Sequence, residues 1–504
     1  MECLLTKISR NAALQKAFPF LIIAFVIIFF WLPLHLDLWN DEVYSLIHFQ
    51  KVPFLITVTD YHESNNHVFF NLLLNGYLKI IGSPSNSDIF HHPEIVRIVP
   101  LAFVIGSYMV LYKWIHSMLG FWQAVFGITL LSTTLAYYNF ALQYRAYSLL
   151  ILLGILYSHS LWHYFKNGRK IRLGILALCT MLLFYAHPAA IYLIVALSIA
   201  LLFSFFSSDL RSKAIRAAFA TCIGAALAGL AYLPIIPQML QNPWIAGHKI
   251  SAITFLRDKF ISCTFQFIDG RYWLLALTIA GFITALFLVR KRNKKISEKL
   301  RWMLFCAIVY LIVFAVPLAR HDNAPQRTFT MLVPFVVVGI TIALDTLFAN
   351  FFFSKWPQSL LLVFSIMMAI QFPYRLAARN QEIELLQKTT PENASMNSAY
   401  YLHHFEPMRF VESVSRRVQQ QRLQVFCESV NRQEIAEYLK VQNLPFLQYE
   451  NPYQRSFARD SFFIITIYPA KTLATLGDSI RGTLIPVEGS FYSLLFAKRN
   501  HNLH

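Results

Sequence analysis

The chain has 504 residues, of which 56% are hydrophobic and 14% charged, against about 25% charged in ordinary soluble domains. Its apolar residues gather in blocks of roughly 15–23, long enough to cross a hydrocarbon core about 30 Å thick; a soluble enzyme, a disordered chain and a coiled coil are excluded, and a polytopic membrane protein is implied. The net charge of +18 sits largely in short loops between apolar blocks, as the positive-inside bias of insertion predicts; no basic patch interleaved with aromatics stands out, so no nucleic-acid partner is expected.

In chain order, Lys7, Arg10 and Lys16 precede the apolar run Phe18–Trp31, which continues to Leu36 without a small-residue cleavage site. This reads as an uncleaved first span rather than a signal peptide. A polar stretch, Asp37–Asn66, follows. Apolar segments come next at 67–82, 97–112, 121–139, 146–165, 173–186, 189–206, 217–236, 271–289, 302–318, 328–348 and 358–372. The loops FKNGRKIR (ending at Arg172), RSKAIR (Arg211–Arg216) and RKRNKKISEKLR (Arg290–Arg301) are strongly basic. They are expected in the cytoplasm with the N-terminus. The loops 37–66, 237–270 and 319–327, and everything after 373, then fall outside. Counting every apolar segment returns the C-terminus to the cytoplasm, whereas the charges require an odd number. The short segment 67–82, with Asn71, Asn75 and Lys79, is the one whose crossing is open. The expectation is 11–13 membrane helices.

The fold class expected is therefore an all-α polytopic membrane domain, residues 1–372, followed by a small C-terminal α/β extracytoplasmic domain, 373–504. Within the latter, 423–427, 446–449 and 462–468 read as strands and Arg432–Val441 as an amphipathic helix. Of the six cysteines, Cys179, Cys222 and Cys306 lie in apolar segments. Cys263 and Cys427 fall outside the membrane, where pairing is open but not demanded, and no CxxC spacing suggests redox or zinc chemistry. Asn393-Ala-Ser395 forms a glycosylation triplet.

Candidate chemistry collects at helix ends on the expected outer side. LWNDEVYSL places Asp41 and Glu42 just beyond the first span. Such a pair either solvates a helix end or provides a general base with a partner that orients an acceptor or binds a cation. The same loop ends YHESNNHVFF, crowding His62, Glu63, Asn66 and His67 together. The second His comes at i+5, not the i+4 of a metalloprotease helix, so a zinc site is not expected. These side chains form either a polar rim or hydrogen-bonding groups for a phosphate or sugar. Arg145, in LQYRAYSLL, stands between two apolar helices. Its planar fork suits a phosphate, and the other reading is an interfacial Arg beside Tyr144 and Tyr147. His187-Pro188 interrupts 173–206, and ARHDNAPQRTF brings Arg320 and Arg327 to another helix start.

These residues resemble the GT-C superfamily of integral membrane glycosyltransferases, in particular the bacterial branch related to protein O-mannosyltransferases and the lipid A aminoarabinose transferase. The resemblance rests on Asp41-Glu42 after the first span, His67 at the next helix, Arg145 with Tyr147, and Arg327 before a late Pro-containing span. It covers roughly 18–372. Val68 follows His67 where the family often has Pro. The resemblance implies a glycosyltransferase (hexosyl or pentosyl) using a polyprenyl-phosphate sugar and acting on a lipid, glycan or protein hydroxyl at the outer face of a bacterial inner membrane, with inversion. Asp41 would be the base and Glu42 its partner. His62, Asn66, His67, Arg145, Tyr147, His187, Arg320 and Arg327 would bind donor phosphate or substrate. No metal ligands are assigned, and a divalent cation is the one cofactor left open. Two other classes compete: a transporter or flippase of envelope lipids or sugars, which would show pseudo-symmetric broken helices, and a non-catalytic envelope-assembly subunit, for which Asp41 and Glu42 would be dispensable.

Overall fold

A computed structural model describes residues 11–63, 66–205, 210–242, 249–292, 298–350, 357–389, 407–421, 424–428, 433–449, 461–466, 480–485 and 493–499. The principal helices are α1 (Ala12–Phe29), α2 (Asn40–Ser45), α3 (Val68–Ile80), α4 (Glu94–Met118), α5 (Phe121–Ser132), α6 (Leu135–Ala141), α7 (Tyr147–Asn167), α8 (Ile171–Ala186), α9 (Ala190–Phe205), α10 (Arg211–Ala231), α11 (Tyr272–Arg292), α12 (Glu298–Arg320), α13 (Val333–Asn350), α14 (Pro357–Thr389), α15 (Pro407–Gln421) and α16 (Gln433–Val441).

Local sequence sets the ends of these helices. Asn11 caps α1, its side-chain oxygen accepting from the amides of Ala13 and Leu14. Gly168, at φ 67°, closes α7 in the left-handed conformation that favours glycine. Among the described residues six helices are long and apolar enough to cross a membrane: Glu94–Met118, Tyr147–Asn167, Arg211–Ala231, Glu298–Arg320, Gln326–Asn350 and Gln358–Arg379. Two further pairs are bent, α5 with α6 by 70° and Ala252–Phe267 with Tyr272–Leu288 by 90°. The apolar helices Ala13–Phe29, Val68–Ile80, Ile171–Ala186 and Ala190–Phe205 are shorter than a standard span. The number of crossings read from the sequence is reached only if bent pairs and short helices also cross. The chain is an integral multi-pass membrane protein.

The chain clusters into two compact units. The first comprises 1–30, 54–73 and 99–376. Its core is aromatic: Trp302 is fully buried, with Trp114, Trp162, Phe205 and Phe305 packed around it at ring-centroid distances of 5.2–5.8 Å. Small residues let helices close up, the usual device where lipid supplies no hydrophobic drive between them. A Cβ at Gly224 of α10 would stand 2.2 Å from the carbonyl oxygen of Ala177 in α8. One at Gly281 of α11 would stand 2.3 Å from that of Ala343 in α13. Cys263 is a free, buried thiol.

The second unit comprises 31–53, 74–98 and 377–504. A mixed five-stranded sheet carries the C-terminal part, in the order β2 (Leu447–Tyr449), β1 (Gln424–Glu428), β3 (Ser461–Thr466), β5 (Ser493–Arg499), β4 (Ile480–Ile485). β1 pairs in parallel with β2 and β3, and β5 pairs antiparallel with β3 and β4. Helix α16 joins this part to the segment after the first span. The hydroxyl of Tyr438 accepts from the amide of Leu38 at 3.0 Å, and its ring stacks on Phe90 at 4.7 Å. The amide of Met408, in α15, donates to Asp37 Oδ2 at 2.9 Å. The segment containing Asn393 lies outside the described residues.

Gly281→Val is expected to destabilise the protein by about 1–3 kcal/mol through overpacking, whereas Gly229→Val, where a Cβ meets open space, leaves the unfolding temperature close to wild type. Fluorescence-monitored thermal unfolding in detergent measures both, and equal effects would remove the close α11–α13 approach as the reason.

Candidate active site

The acidic pair lies in the second unit, in the first turn of α2, where carboxylates complement the helix dipole. The two residues differ sharply in environment. Asp41 is half-buried and Glu42 is fully buried. Glu42 Oε2 accepts from the amide of Trp39 at 3.0 Å, tying down the start of its own helix. It also accepts from Arg97 Nη2 at 2.9 Å. Arg97, itself 1% exposed, donates in addition to the carbonyl oxygens of Pro33 at 2.7 Å and Asp37 at 2.9 Å. One guanidinium thus gathers the turn after the first span, the approach to α2 and the start of α4. Glu42 holds the backbone that presents Asp41. Arg97 is absent from the sequence-based candidates. Its signal is an Arg inside the apolar string EIVRIVP, since an ionisable group there needs a buried partner.

The cationic candidates lie in the first unit. His67 precedes α3 and is buried. Its Nε2 stands 3.1 Å from Arg145 Nη2, and its Nδ1 is 3.3 Å from the amide of Ala146. A neutral imidazole has one nitrogen lone pair, so these contacts alternate with the tautomer, and neither fits a protonated ring. Burial first, then the charges of Arg145 and Arg327 together with His187, hold the pKa of His67 well below its ordinary value. Arg145 comes from the irregular loop between α6 and α7, 4% exposed, with its guanidinium carbon 5.9 Å from the centre of the Tyr147 ring. His187, between α8 and α9, sets its ring 4.5 Å from that of His67 and accepts from the amide of Ala189 through Nδ1 at 3.0 Å. Burial, Arg145 and Arg327 push its pKa down to about 3. A narrow crevice runs between Tyr147, His187, Ala189, Thr328 and Met331.

The structure therefore brings His67, Arg145, Tyr147 and His187 together, with Arg327 near enough to act on both rings. The remaining candidates stand elsewhere. His62 is exposed and pairs with Asp60 at 2.7 Å. Asn66 is buried within its own loop, donating to the carbonyls of Thr57 and Asp60 and accepting from Asn71 Nδ2. Arg320 is exposed and pairs with Asp322 at 3.2 Å. Two further residues carry structural weight that the sequence reading did not assign. Tyr61 is buried near Arg145, its phenol pKa raised by burial. Arg271 is buried at the 90° bend, donates to the carbonyl of Thr133 at the 70° bend and stands 3.7 Å from Asp269. Gly270-Arg271 before an apolar block is its only sequence signal. Among the described residues no cluster of three or more His, Cys, Asp or Glu is placed to hold a metal ion.

No family model matches the chain. No curated protein matches it. Among solved structures it is similar to ArnT from Cupriavidus metallidurans in the apo state, at a TM-score of 0.55 and 11% identity, over 96% of this chain and 98% of that one. The same protein bound to undecaprenyl phosphate aligns over the same shares at a TM-score of 0.52 and 11% identity. The chain shares the overall fold of that protein.

Arg97→Met would leave Glu42 buried without its guanidinium. Loss of about 3–5 kcal/mol of stability is expected, and the double variant Arg97→Met/Glu42→Gln is expected to recover part of it; a double-mutant cycle on unfolding reads the coupling, which is absent if the pair is incidental. The depressed pKa of His187 has a defined sign. Between the ordinary value near 6.5 and about 3, the unfolded chain binds the proton that the folded ring refuses. Its contribution to stability is therefore full above pH 6.5 and is lost as pH falls towards 3. His187→Gln should flatten the pH dependence of unfolding across pH 6.5 to 4.5 by about one proton, and an unchanged slope would show that His187 titrates normally.

Proposed function

We propose that the protein is a membrane glycosyltransferase that moves a sugar from a polyprenyl phosphate to a hydroxyl acceptor on the outer side of a bacterial plasma membrane, with inversion. The observation that carries this reading is the cationic cluster at the ends of α3, α7 and α9. Arg145 and Arg327 act together on two buried, neutral histidines. A phosphate ester leaving group develops negative charge as its bond to the anomeric carbon breaks, and fixed guanidinium donors stabilise that charge. His67 and His187 add hydrogen bonds without further charge. The GT-C-like fold, similar over nearly the whole chain to a protein crystallised with undecaprenyl phosphate, supports a lipid-phosphate donor.

Asp41 is the proposed general base. Glu42, held by Arg97, is its positioning partner, and removes the need for both carboxylates to meet the acceptor. The acceptor class (lipid, glycan or protein) and the sugar are set by surfaces that motifs do not encode. A divalent cation is not needed for this scheme, since arginines supply the counter-charge.

Lipid mass spectrometry of host membranes carrying wild type, Asp41→Asn or no copy tests the class. Polyprenyl-phosphate sugar is expected to accumulate equally in the variant and the deletion, and its mass identifies the sugar. A pool unchanged in all three, with protein present, would sink the proposal. Arg145→Ala is expected to lower turnover by about 10²–10³, the usual effect of losing one charge-stabilising donor, and Arg145→Lys by less. Equal mild losses in steady-state assays would instead mark Arg145 as an interfacial anchor.

A further inference from the structure

We propose that the groove between α8 and α10, at the end of these helices that carries the basic loops, seats an anionic phospholipid, with an acyl chain in the groove and the phosphate at Arg216. The groove is open on one side, offers about 480 Å³, and is lined by Leu173, Gly174, Ala177, Phe219 and Ile223, with Arg216 as its charged residue.

Its shape follows from two glycines. At Gly224, α10 is pressed against the backbone of α8 at Ala177. At Gly174 the space above the helix is open, and a Cβ there would meet nothing within 4 Å. The walls are apolar and turned outward on a helix long enough to span: Phe219 is 68% exposed and Ile215 47%. Hydrocarbon covers such side chains in a membrane, so the occupant is a chain rather than water.

The charge around the groove narrows its chemistry. Lys213 Nζ donates to the carbonyl of Phe165 at 2.7 Å, joining the first turn of α10 to the last turn of α7. Lys166, in that last turn of α7, sets its ammonium 5.7 Å from the centre of the Trp162 ring. Lys166, Arg169 and Arg172, with Arg211, Lys213 and Arg216, gather at one end of α7, α8 and α10; Asp209, in the same loop, lies outside the described residues. Basic residues at a membrane surface attract anionic headgroups. A free phosphate would leave the apolar groove empty.

Native mass spectrometry of the detergent-purified full chain, incubated with phosphatidylglycerol or with phosphatidylethanolamine of the same acyl chains, tests this. Wild type is expected to retain phosphatidylglycerol preferentially. Arg216→Gln should lose about fivefold of that retention, the effect of one basic residue near an anionic headgroup, with phosphatidylethanolamine unaffected. Gly174→Leu fills the groove from a position with free space and should lose both lipids, at an unchanged unfolding temperature. Arg257→Gln, at an exposed residue paired with Asp258, should behave as wild type. Equal retention of the two lipids by wild type, wild-type retention by Arg216→Gln, or displacement of the lipid by millimolar inorganic phosphate would each overturn the proposal.

Discussion

A backbone amide in hydrocarbon has no partner except another part of the protein. That constraint forces most of this chain into helices and makes every interruption of a helix expensive unless side chains take over its lost hydrogen bonds. The interruptions are where the polar residues are. The carbonyl of Thr133, at the α5–α6 bend, receives Arg271. The loop before α7 sets the amide of Ala146 against the ring of His67. The turn between α8 and α9 is closed by the ring of His187 on the amide of Ala189. The same side chains thus satisfy irregular backbone and create concentrated charge. A chain that must place polar groups at helix ends for structural reasons already has the raw material of a phosphate site there.

The acid pair sets two adjacent carboxylates at one such end in different surroundings. A carboxylate that is to move a proton needs access to solvent or substrate, whereas one that is to hold backbone needs a fixed partner. Asp41 and Glu42 are adjacent in sequence, but a short helix turns them into different surroundings. Glu42 receives a buried guanidinium and an amide, and Asp41 keeps partial exposure. A buried ion pair is a weak source of net stability because desolvation offsets much of the attraction. Its value here is geometric. Arg97 binds two carbonyl oxygens besides Glu42, so the turn after the first span has one arrangement in which all of these groups are satisfied.

The membrane helices were legible because hydropathy is a one-dimensional signal. The segments 146–165, 302–318 and 328–348 correspond to Tyr147–Asn167, Glu298–Arg320 and Gln326–Asn350. Bends are not legible: 121–139 reads as one apolar run, and the carbonyl of Thr133 at the 70° break is taken up by Arg271, which lies far away in sequence. In the C-terminal part, β1, β2, β3 and α16 match apolar runs and an amphipathic pattern. β4 (IRGTLI) and β5 (SLLFAKR) carry charges, and their strand character comes from pairing with each other and with β3. At the candidate site, residue types at helix ends pointed to His67, Arg145, His187 and Arg327. The same reasoning also admits His62, Asn66 and Arg320, because adjacency in sequence does not reveal that Asn66 closes its own loop or that Arg320 and His62 are exposed beside nearby acids. Arg97 was hidden for the opposite reason, being a single charge in an apolar string whose partner lies 55 positions away.

The field and the geometry of the cationic cluster depend on each other. Arg145 and Arg327 make protonation of His67 and His187 unfavourable, and burial adds to the same effect. Neutral rings, in turn, are what allow Arg145 to stay where it is. An Nε2 lone pair can accept from a guanidinium at 3.1 Å, whereas an imidazolium would set two cations at that distance and offer no lone pair to the amide of Ala146. A proton on His67 would therefore remove whichever of the two contacts its tautomer makes, to Arg145 or to the amide of Ala146. The positive potential needed to attract an anion is also what keeps the histidines in the form that holds the arginine in place.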